Sequence, residues 1–585
     1  MAESRVGRYL AQHEARKQKK RPWLDHYQRL AEMFLTWKAD FTNAANVGAF
    51  LSDNVFSNVP QFAANLFASV CQSMLWPDAA RSFAIVPKPQ LKDLPGVQAY
   101  FRAVTNRMHA AMDNPEAGLS LALSEHFLEQ GVFGTSGVAT LEGPADDASL
   151  PVVYECWDVK SMFIDEDRHG NVNSVTIEEQ STVRKVYEEY KLNGKPGDKI
   201  SSKVAEAYTE GRYEEKVTVL KVLEPNDKRD IKKKGIVAME YRTCHIDATN
   251  RVIMRESGYE EMPVAVVRAI KRSGETQGRS FGMIVLPAAV NLNSLSQDII
   301  VGSELQLFPP LMVLDDGRLG GAVIDTSAKG MTVVNTAGRP FGEKPIQALH
   351  TVGDMVSAKE LKTQLTEEVM QGFMLDRLLD LNNKTMMTAY ETSVRSRLRG
   401  ESTGSLFARQ IMELFVKMIR RTFNILMRRG DLGDFPGVNG VGADQRRKWV
   451  SLGGKDDVVV PESVLAAVKA GLDVYDIEFI SPAQRFMQAE KLNGLLTSAD
   501  SKLAVAALQP DIMDGTDWDE WGRLVDKYAG APNAAQRTKD GLAEYRRAVA
   551  QRQQTADMLG AGKVASDIQA QSAKARVALG TMGDK

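Results

Sequence analysis

The chain has 585 residues, which is too long for one compact core, so its length alone predicts two to four structural units. Its 73 lysines and arginines nearly balance 75 aspartates and glutamates, and this balance excludes a protein that binds nucleic acid over its whole surface. No stretch reaches about 18 consecutive apolar residues, and three widely spaced cysteines give no disulfide pattern. We therefore expect a soluble, intracellular protein with no membrane partner.

The N-terminal region is predicted to be helical. We interpret the basic run RKQKKR at 16–21 as the solvated start of a helix, because short charge runs are usually exposed. A nucleic-acid-binding tail is the alternative. Apolar periodicity predicts further helices at 61–74, 97–112 and 119–130, and the glycines that follow at 131, 134 and 137 predict a turn into strands.

Between residues 138 and 270 the apolar pattern changes from a helical period towards alternation, which predicts a mixed α+β region. The run DEDRHG at 165–170 matches the start of a calcium loop, but Thr176 stands where the closing carboxylate is required, so a hairpin turn is predicted there. Cys244 and His245 are adjacent and have no second pair of ligands, so we interpret them as strand residues. The predicted strands are 152–156, 162–164, 172–177, 217–222, 251–254 and 264–267, with a charged helix at 183–191.

Residues 282–375 show a helix, a short β insert and a second helix. Apolar residues at helical spacing predict a first helix that ends at Pro309, and the runs LMVL at 311–314 and MTVV at 331–334, each followed by a turn, predict two strands. The second helix has one predicted apolar face. Its residues recur at steps of four: Leu361, Leu365, Val369 and Phe373.

The segment 384–429 holds ten basic residues and only three acids, a net charge of +7 in a nearly neutral chain. Its second half, 406–429, has the apolar periodicity of an amphipathic helix. We interpret these basic residues as one face of a helix that pairs with acids of a neighbouring element.

The C-terminal region is predicted to contain helices at 462–472 and 483–496, a strand at 475–480, and a polar, alanine-rich helical tail beyond 510. Seven histidines lie in no nucleophile or metal motif, and GAGK at 560–563 is followed by Val564 where a phosphate loop requires Ser or Thr. No catalytic, cofactor-binding or metal-binding residue is predicted.

Four segments carry a resemblance to a known family: GRSFG at 278–282, the helix through 286–303, FPPLMV at 308–313 and MTAYE at 387–391. In this order and spacing they resemble the head-to-tail connector, or portal, of short-tailed double-stranded DNA bacteriophages. The rest of the chain resembles the family less sharply in length and arrangement.

The resemblance implies an α+β portal fold assembled as a ring, with a wing, a two-helix stem, a β-containing clip inserted in the stem and a helical crown. The implied boundaries are 1–281 for the N-terminal wing, 282–307 and 350–375 for the stem helices and 308–349 for the clip. A tunnel loop at 376–387 follows, then the long helix and remainder of the wing at 388–509, and a partly mobile crown or barrel at 510–585.

The implied function is a non-enzymatic ring at one capsid vertex, through which the genome is packaged and ejected. The implied partners are identical subunits, with twelve expected, non-specifically bound double-stranded DNA, the terminase packaging motor, a tail adaptor, and capsid and scaffolding proteins. The protein would be assembled in the host cytoplasm and reside at the head-tail junction of the virion.

Two sets of site residues follow from the resemblance. The predicted DNA-channel residues are Lys384, Asn382, Asn383, Arg395, Arg397 and Arg399, and the predicted docking residues of the clip are Asp315, Asp316, Arg318 and Lys329. Two alternatives remain: a nucleic-acid-binding or DNA-processing enzyme that uses the basic segment 384–429, and another virion ring such as a tail adaptor.

Overall fold

The structure is a computed structural model in which secondary structure is described for most of the chain. The described residues are 2–42, 54–77, 81–92, 94–144, 147, 149–230, 233, 235–315, 325–335, 346–348, 353, 355–376, 407–433, 460–470, 472–480, 482–506, 509, 511, 514–529, 542 and 545–552.

The described helices confirm most of the predicted ones. They are α1 (Ala2–Phe34), α2 (Val59–Leu75), α3 (Val97–Met112), α4 (Leu119–Phe133), α5 (Val183–Tyr187), α6 (Ser202–Thr209), α7 (Phe281–Leu307), α8 (Val356–Gly372), α9 (Val416–Arg429), α10 (Glu462–Lys469), α11 (Pro482–Ala506) and α12 (Trp518–Ala529). A π-helical turn, Ile411–Phe415, leads directly into α9. Helix α6 is not predicted from the sequence, because few large apolar residues mark it; its start is capped by the side chain of Ser201.

Thirteen strands are described: β1 (Phe83–Pro87), β2 (Thr135–Glu142), β3 (Val152–Trp157), β4 (Met162–Glu166), β5 (Val172–Thr182), β6 (Lys216–Pro225), β7 (Tyr241–Asp247), β8 (Val252–Tyr259), β9 (Val264–Arg268), β10 (Leu311–Asp315), β11 (Met331–Asn335), β12 (Ile346–Ala348) and β13 (Tyr475–Phe479). Their sheet orders are β4-β5-β6-β7-β8, β3-β2-β9, β11-β10-β12 and β1-β13. The α+β prediction is confirmed. Strands β1 and β12 were missed because each is short; no range was predicted for β2, and for β7 only Cys244 and His245 were interpreted as strand residues.

Helix α1 crosses the five-stranded sheet and is held to it by charged groups. Val6 and Tyr9 pack on the apolar face formed by β6 and β7. The polar contacts then follow the strands one after another: Arg5 to Glu256 (2.6 Å), Arg8 to Glu224 (2.8 Å), His13 to Glu178 (3.1 Å) and Lys19 to Asp165 (3.5 Å).

The basic run at 16–21 is not a solvated helix start, and this expectation was wrong for its two buried members. Arg16 donates to Ser174 Oγ at 2.7 Å, and Lys20 donates to the main-chain oxygens of Val159, Lys160 (3.0 Å) and Met162 (2.7 Å). Since buried charges require such partners, the run serves to fasten α1 to the sheet.

The chain forms two compact units. The first comprises 1–83, 105–458 and 479–489, and contains the five-stranded sheet, both three-stranded sheets and the helix pair α7 and α8. The second comprises 84–104, 459–478 and 490–585; within it Lys88 pairs with Asp476 at 2.7 Å and Lys491 lies over the Tyr528 ring. The wing, stem, clip, tunnel-loop and crown boundaries remain predictions.

Candidate functional site

The base of α7 is built where two glycine segments cross. Gly134 has a φ of +82°, and a Cβ added to it would lie 2.6 Å from the main-chain oxygen of Gly278. Gly278 donates its N–H to Thr135 Oγ1 at 2.8 Å, and Ala269 donates to the oxygen of Gly134 at 2.8 Å. The two backbones can approach this closely only because neither residue has a side chain.

Helix α7 starts at a conventional cap. The Ser280 side chain accepts from the Met283 N–H at 2.9 Å, and Gly282 packs against the main-chain oxygen of Val132 in α4. The helix ends at Leu307, before the two prolines that predicted its end. The segment GRSFG at 278–282 is therefore the junction between β9 and α7.

Helix α8 returns along α7 with close contacts at its far end. A Cβ at Gly372 would collide with Val285 of α7, while Phe373 is buried against Phe34 and Phe67. The predicted apolar stripe is only partly buried within one subunit: Val369 is covered, but Leu361 is 47% exposed.

The helix pair exposes a broad apolar surface. Its large exposed members on α7 and α8 are Ile284, Val290, Ile300, Val301, Leu307, Val356 and Leu361. By length and composition α7 could also cross a membrane, although one such helix is also found in the cores of soluble proteins. So many exposed apolar side chains on one helix pair indicate a protein interface.

Between the two helices lies the three-stranded insert, whose central strand is β10. Strand β10 pairs with β11 in parallel and with β12 antiparallel. Lys329 has a φ of +63° and places its ammonium 4.3 Å from the centre of the Phe308 ring, on the exposed surface of the insert. Asp315 ends β10, and its side chain, like Asp316 and Arg318, lies outside the described residues.

The predicted channel residues all lie outside the described residues, as does the tunnel loop beyond Asp376. These residues are Lys384, Asn382, Asn383, Arg395, Arg397 and Arg399. The chain on either side is described. Before this segment the described chain ends at Asp376, shortly after the buried Phe373. It resumes at Phe407, whose side chain is 1% exposed.

The family model for the bacteriophage head to tail connecting protein matches residues 7–535, which is most of the chain. The chain belongs to the bacteriophage head-to-tail connecting protein family. The order of helix, β insert and helix lies inside the matched region, in agreement with the resemblance noted in the sequence.

Two relatives of this connecting protein are portal proteins of phages. It is 24% identical over 518 residues to a probable portal protein of Bordetella phage BPP-1, covering 87% of this chain and 84% of the relative. It is 25% identical over 185 residues to a portal protein of Salmonella phage epsilon15, covering 31% of each chain.

Two solved structures also align with the connecting protein at low similarity. One is the neck of an empty gene transfer agent particle, with a TM-score of 0.32 and 12% identity, covering 72% of this chain and 91% of that one. The other is the virion of a native gene transfer agent particle, with a TM-score of 0.29 and 11% identity, covering 72% and 92%. These TM-scores are too low to establish a common fold.

Three arginines of α9, Arg421, Arg428 and Arg429, are paired with acids and main-chain oxygens of other segments. Arg421 is buried and donates to Thr140 O at 2.7 Å and to Glu261 at 3.1 Å. Arg428 donates to Glu261 at 2.8 Å and lies 3.1 Å from Glu260. The paired interpretation is confirmed for these arginines, so they serve the fold rather than a DNA surface.

The turn before α9 is anchored by a buried amide network that the sequence did not reveal. Gln410 donates to Gln130 Oε1 and accepts from His126 Nε2 at 3.3 Å, while His126 Nδ1 lies 3.1 Å from Ser136 Oγ. Burial lowers the pKa of His126 to about 4, so the ring is neutral at pH 7. With no access to solvent, this serine and histidine form a structural link.

The predicted hairpin turn at 165–170 is confirmed. The Asp167 side chain accepts from the main-chain N–H groups of His169 and Asn171, both at 2.8 Å, and thereby closes its own turn. His245, predicted to be a strand residue, lies in β7 and contacts Tyr190 Oη at 2.7 Å. Within the described part of the chain, no group of three or more potential ligands could hold a metal ion.

Proposed function

We propose that the protein is the portal subunit of a short-tailed double-stranded DNA phage, forming a ring at one capsid vertex. The observation that carries this proposal is the exposed apolar surface of α7 and α8 in a chain of the head-to-tail connecting family. In a cyclic ring each subunit contacts one neighbour through one face and the other neighbour through a different face. Both sides of the helix pair can therefore be buried. Twelve subunits are proposed.

The parts of the chain have separate proposed tasks. The insert between α7 and α8 serves as the clip, which docks the terminase motor during packaging and a tail adaptor afterwards through Asp315, Asp316, Arg318 and Lys329. The segment after α8 passes double-stranded DNA through the channel without reading its sequence, using Lys384, Asn382, Asn383, Arg395, Arg397 and Arg399. The wing faces capsid and scaffolding proteins, and assembly takes place in the host cytoplasm.

The proposed role is mechanical, and the chain itself is not an enzyme in this proposal. The energy for packaging would come from a separate ATPase. The segment that most resembles a phosphate loop, GAGK at 560–563, is followed by Val564 and not by the Ser or Thr that binds magnesium. A DNA-processing enzyme that uses the segment 384–429 gains no support from α9, because Arg421 and Arg428 are occupied by wing groups.

The ring proposal is tested by adding a charge to the apolar surface. Ile300 is 47% exposed in the single chain, so Ile300→Asp should fold normally but lose the ring, because a carboxylate would be buried between subunits. Native mass spectrometry and negative-stain images would report a monomer or a partial ring instead of a closed annulus.

The matched control is Ser202→Asp, at an exposed position of α6 outside the helix pair. It adds the same charge away from the exposed apolar side chains of α7 and α8, so the ring should survive. A wild-type chain that remained monomeric at all concentrations would contradict the proposal, and equal loss of the ring in both variants would contradict the role of apolar contact.

A further inference from the structure

Arg268, the last residue of β9, is a buried guanidinium with partners on two other elements. It donates to Glu166 of β4, which also accepts from Lys271 at 2.6 Å, and to the main-chain oxygen of Gly170 at 3.0 Å. A second carboxylate, that of Glu413, lies 3.6 Å from Arg268 Nη2. One cation therefore joins the β4–β5 turn to the π turn before α9.

Arg268 is also adjacent to the base of α7. Two residues farther along the chain, Ile270 forms an antiparallel bridge with Arg279. The nitrogen-to-oxygen distances of its two main-chain hydrogen bonds are 3.0 and 2.8 Å. A Cβ at Gly278 would lie 2.8 Å from the Cβ of Arg268. Arg268 therefore packs directly against the segment that starts α7.

Glu413 binds both the side chain and the main chain at this position. Its Oε2 accepts from the Arg268 N–H at 3.1 Å, and its Oε1 lies 3.7 Å from Arg409. It lies in the π turn, Ile411–Phe415, where the helix accommodates an extra residue, and such turns often occur at functional sites. Gln410, just before the turn, is held separately by Gln130 and His126.

We infer that Arg268 and Glu413 are positioning residues that fix the base of α7 to the π turn before α9. The functional role of this contact rests on the proposed portal function, because the predicted channel residues lie in the sequence between α8 and the π turn. The contact makes the helix pair and the chain that returns from the channel move together. A change at the channel is thereby transmitted to the stem through one ion pair and one main-chain hydrogen bond.

The chain offers a closely matched pair of variants. Glu413 and Glu166 both bind Arg268, and their side chains are 21% and 19% exposed. Glu413→Ala removes the link to the π turn, whereas Glu166→Ala removes one carboxylate from the β4–β5 side of the cluster and leaves Arg268 bound to Glu413 and to Gly170 O. A merely structural role for the cluster predicts similar consequences for both.

Hydrogen exchange measured by mass spectrometry provides the first test. In Glu413→Ala, the amides of the first turn of α7, at Met283 to Val285, should exchange about tenfold faster, as expected for loss of a charge-assisted hydrogen bond. In Glu166→Ala the faster exchange should be confined to the β4–β5 turn. Equal acceleration at α7 in both variants, or none in either, would overturn the inference.

Two additions keep the test decisive. Should Glu413→Ala fail to fold, Glu413→Gln and Glu166→Gln replace the pair, and Glu413→Gln should give a smaller acceleration because its amide oxygen still accepts from Arg268. In phage, Glu413→Ala should form rings of normal mass but fewer DNA-filled heads, whereas Glu166→Ala should fill heads normally. Absence of rings in the wild type would contradict the portal function alone, since the exchange measurement requires no ring.

Discussion

Gly134 is the residue at which the smallest substitution should have the largest effect. Gly134→Ala adds a methyl group that would lie 2.6 Å from Gly278 O and also requires a side chain at a φ of +82°. We expect the variant to lose about 3 kcal/mol or more of stability, or to fail to fold, because neither backbone can retreat. Urea unfolding would measure the difference.

Gly211 supplies the control for Gly134. Its φ of +78° is nearly the same, but a Cβ there would meet nothing within 4 Å. Gly211→Ala should therefore cost only the strain of the left-handed backbone, about 1 kcal/mol. Similar losses in the two variants would contradict the importance of the crossing.

The sequence predicts the turn at 131–137 but not its contact with Gly278. Turn glycines are recognised from their neighbours, whereas a close approach between segments far apart in sequence depends on tertiary packing. The burial of Lys20 escaped prediction for a similar reason. A basic run is usually solvated, and only the three carbonyl oxygens at 159–162 make its burial possible.

At the scale of elements, attachment of α1 to the sheet should depend on pH through Glu178. Its hydrogen bond with His13, together with the charge of Lys17, lowers the pKa of Glu178 to about 2 from an ordinary 4.5. A carboxyl group with a lowered pKa stabilises the fold above its unfolded pKa, and this stability is lost as the pH falls from 4.5 towards 2.

Glu178→Gln should therefore be less stable than the wild type at pH 7, by about 1–2 kcal/mol, and this difference should narrow as the pH is lowered to 3. Apparent melting temperatures of the two proteins at each pH would measure it. Glu14→Gln, at an exposed position of α1, should stay within about 0.5 kcal/mol of the wild type at pH 7. A constant difference across the pH range would count against the Glu178 link.

The insert shows which properties of an element can be predicted from sequence. The strands at 311–314 and 331–334 were predicted correctly, because short apolar runs closed by turns are a local signal. Their parallel pairing was not predictable, since two strands so close in sequence usually form an antiparallel hairpin. Strand pairing depends on partners that the strand itself does not encode.

At the scale of the whole molecule, Lys384 tests the channel proposal. Lys384→Glu should leave ring assembly intact but reduce DNA packaging or retention, because a ring of carboxylates would face the phosphates of DNA. Lys384→Arg, which keeps the charge, should package normally. Particle yield and DNA content would be compared in phage that carry each variant, and normal filling by Lys384→Glu would remove the electrostatic role.

The partial exposure of the predicted apolar stripe also belongs to this scale. Helical periodicity identifies residues that are expected to be buried, but it does not show whether their packing partners belong to the same chain. Val369 and Phe373 find partners within the subunit, whereas Leu361 does not. Ring formation supplies the missing contact in the proposed assembly, and no single-chain pattern could distinguish these cases.

The attachment of α1 to the sheet has a consequence for the order in which the protein is made. Arg5 pairs with Glu256, which lies 251 positions later in the chain. At a ribosomal rate of about 5–20 residues per second, α1 leaves the ribosome about 10–50 seconds before its last partner is synthesised. During that time Val6 and Tyr9 have no sheet to cover them. The nascent helix must therefore keep these side chains in water, or bury them elsewhere, until the later strands of the sheet have been synthesised.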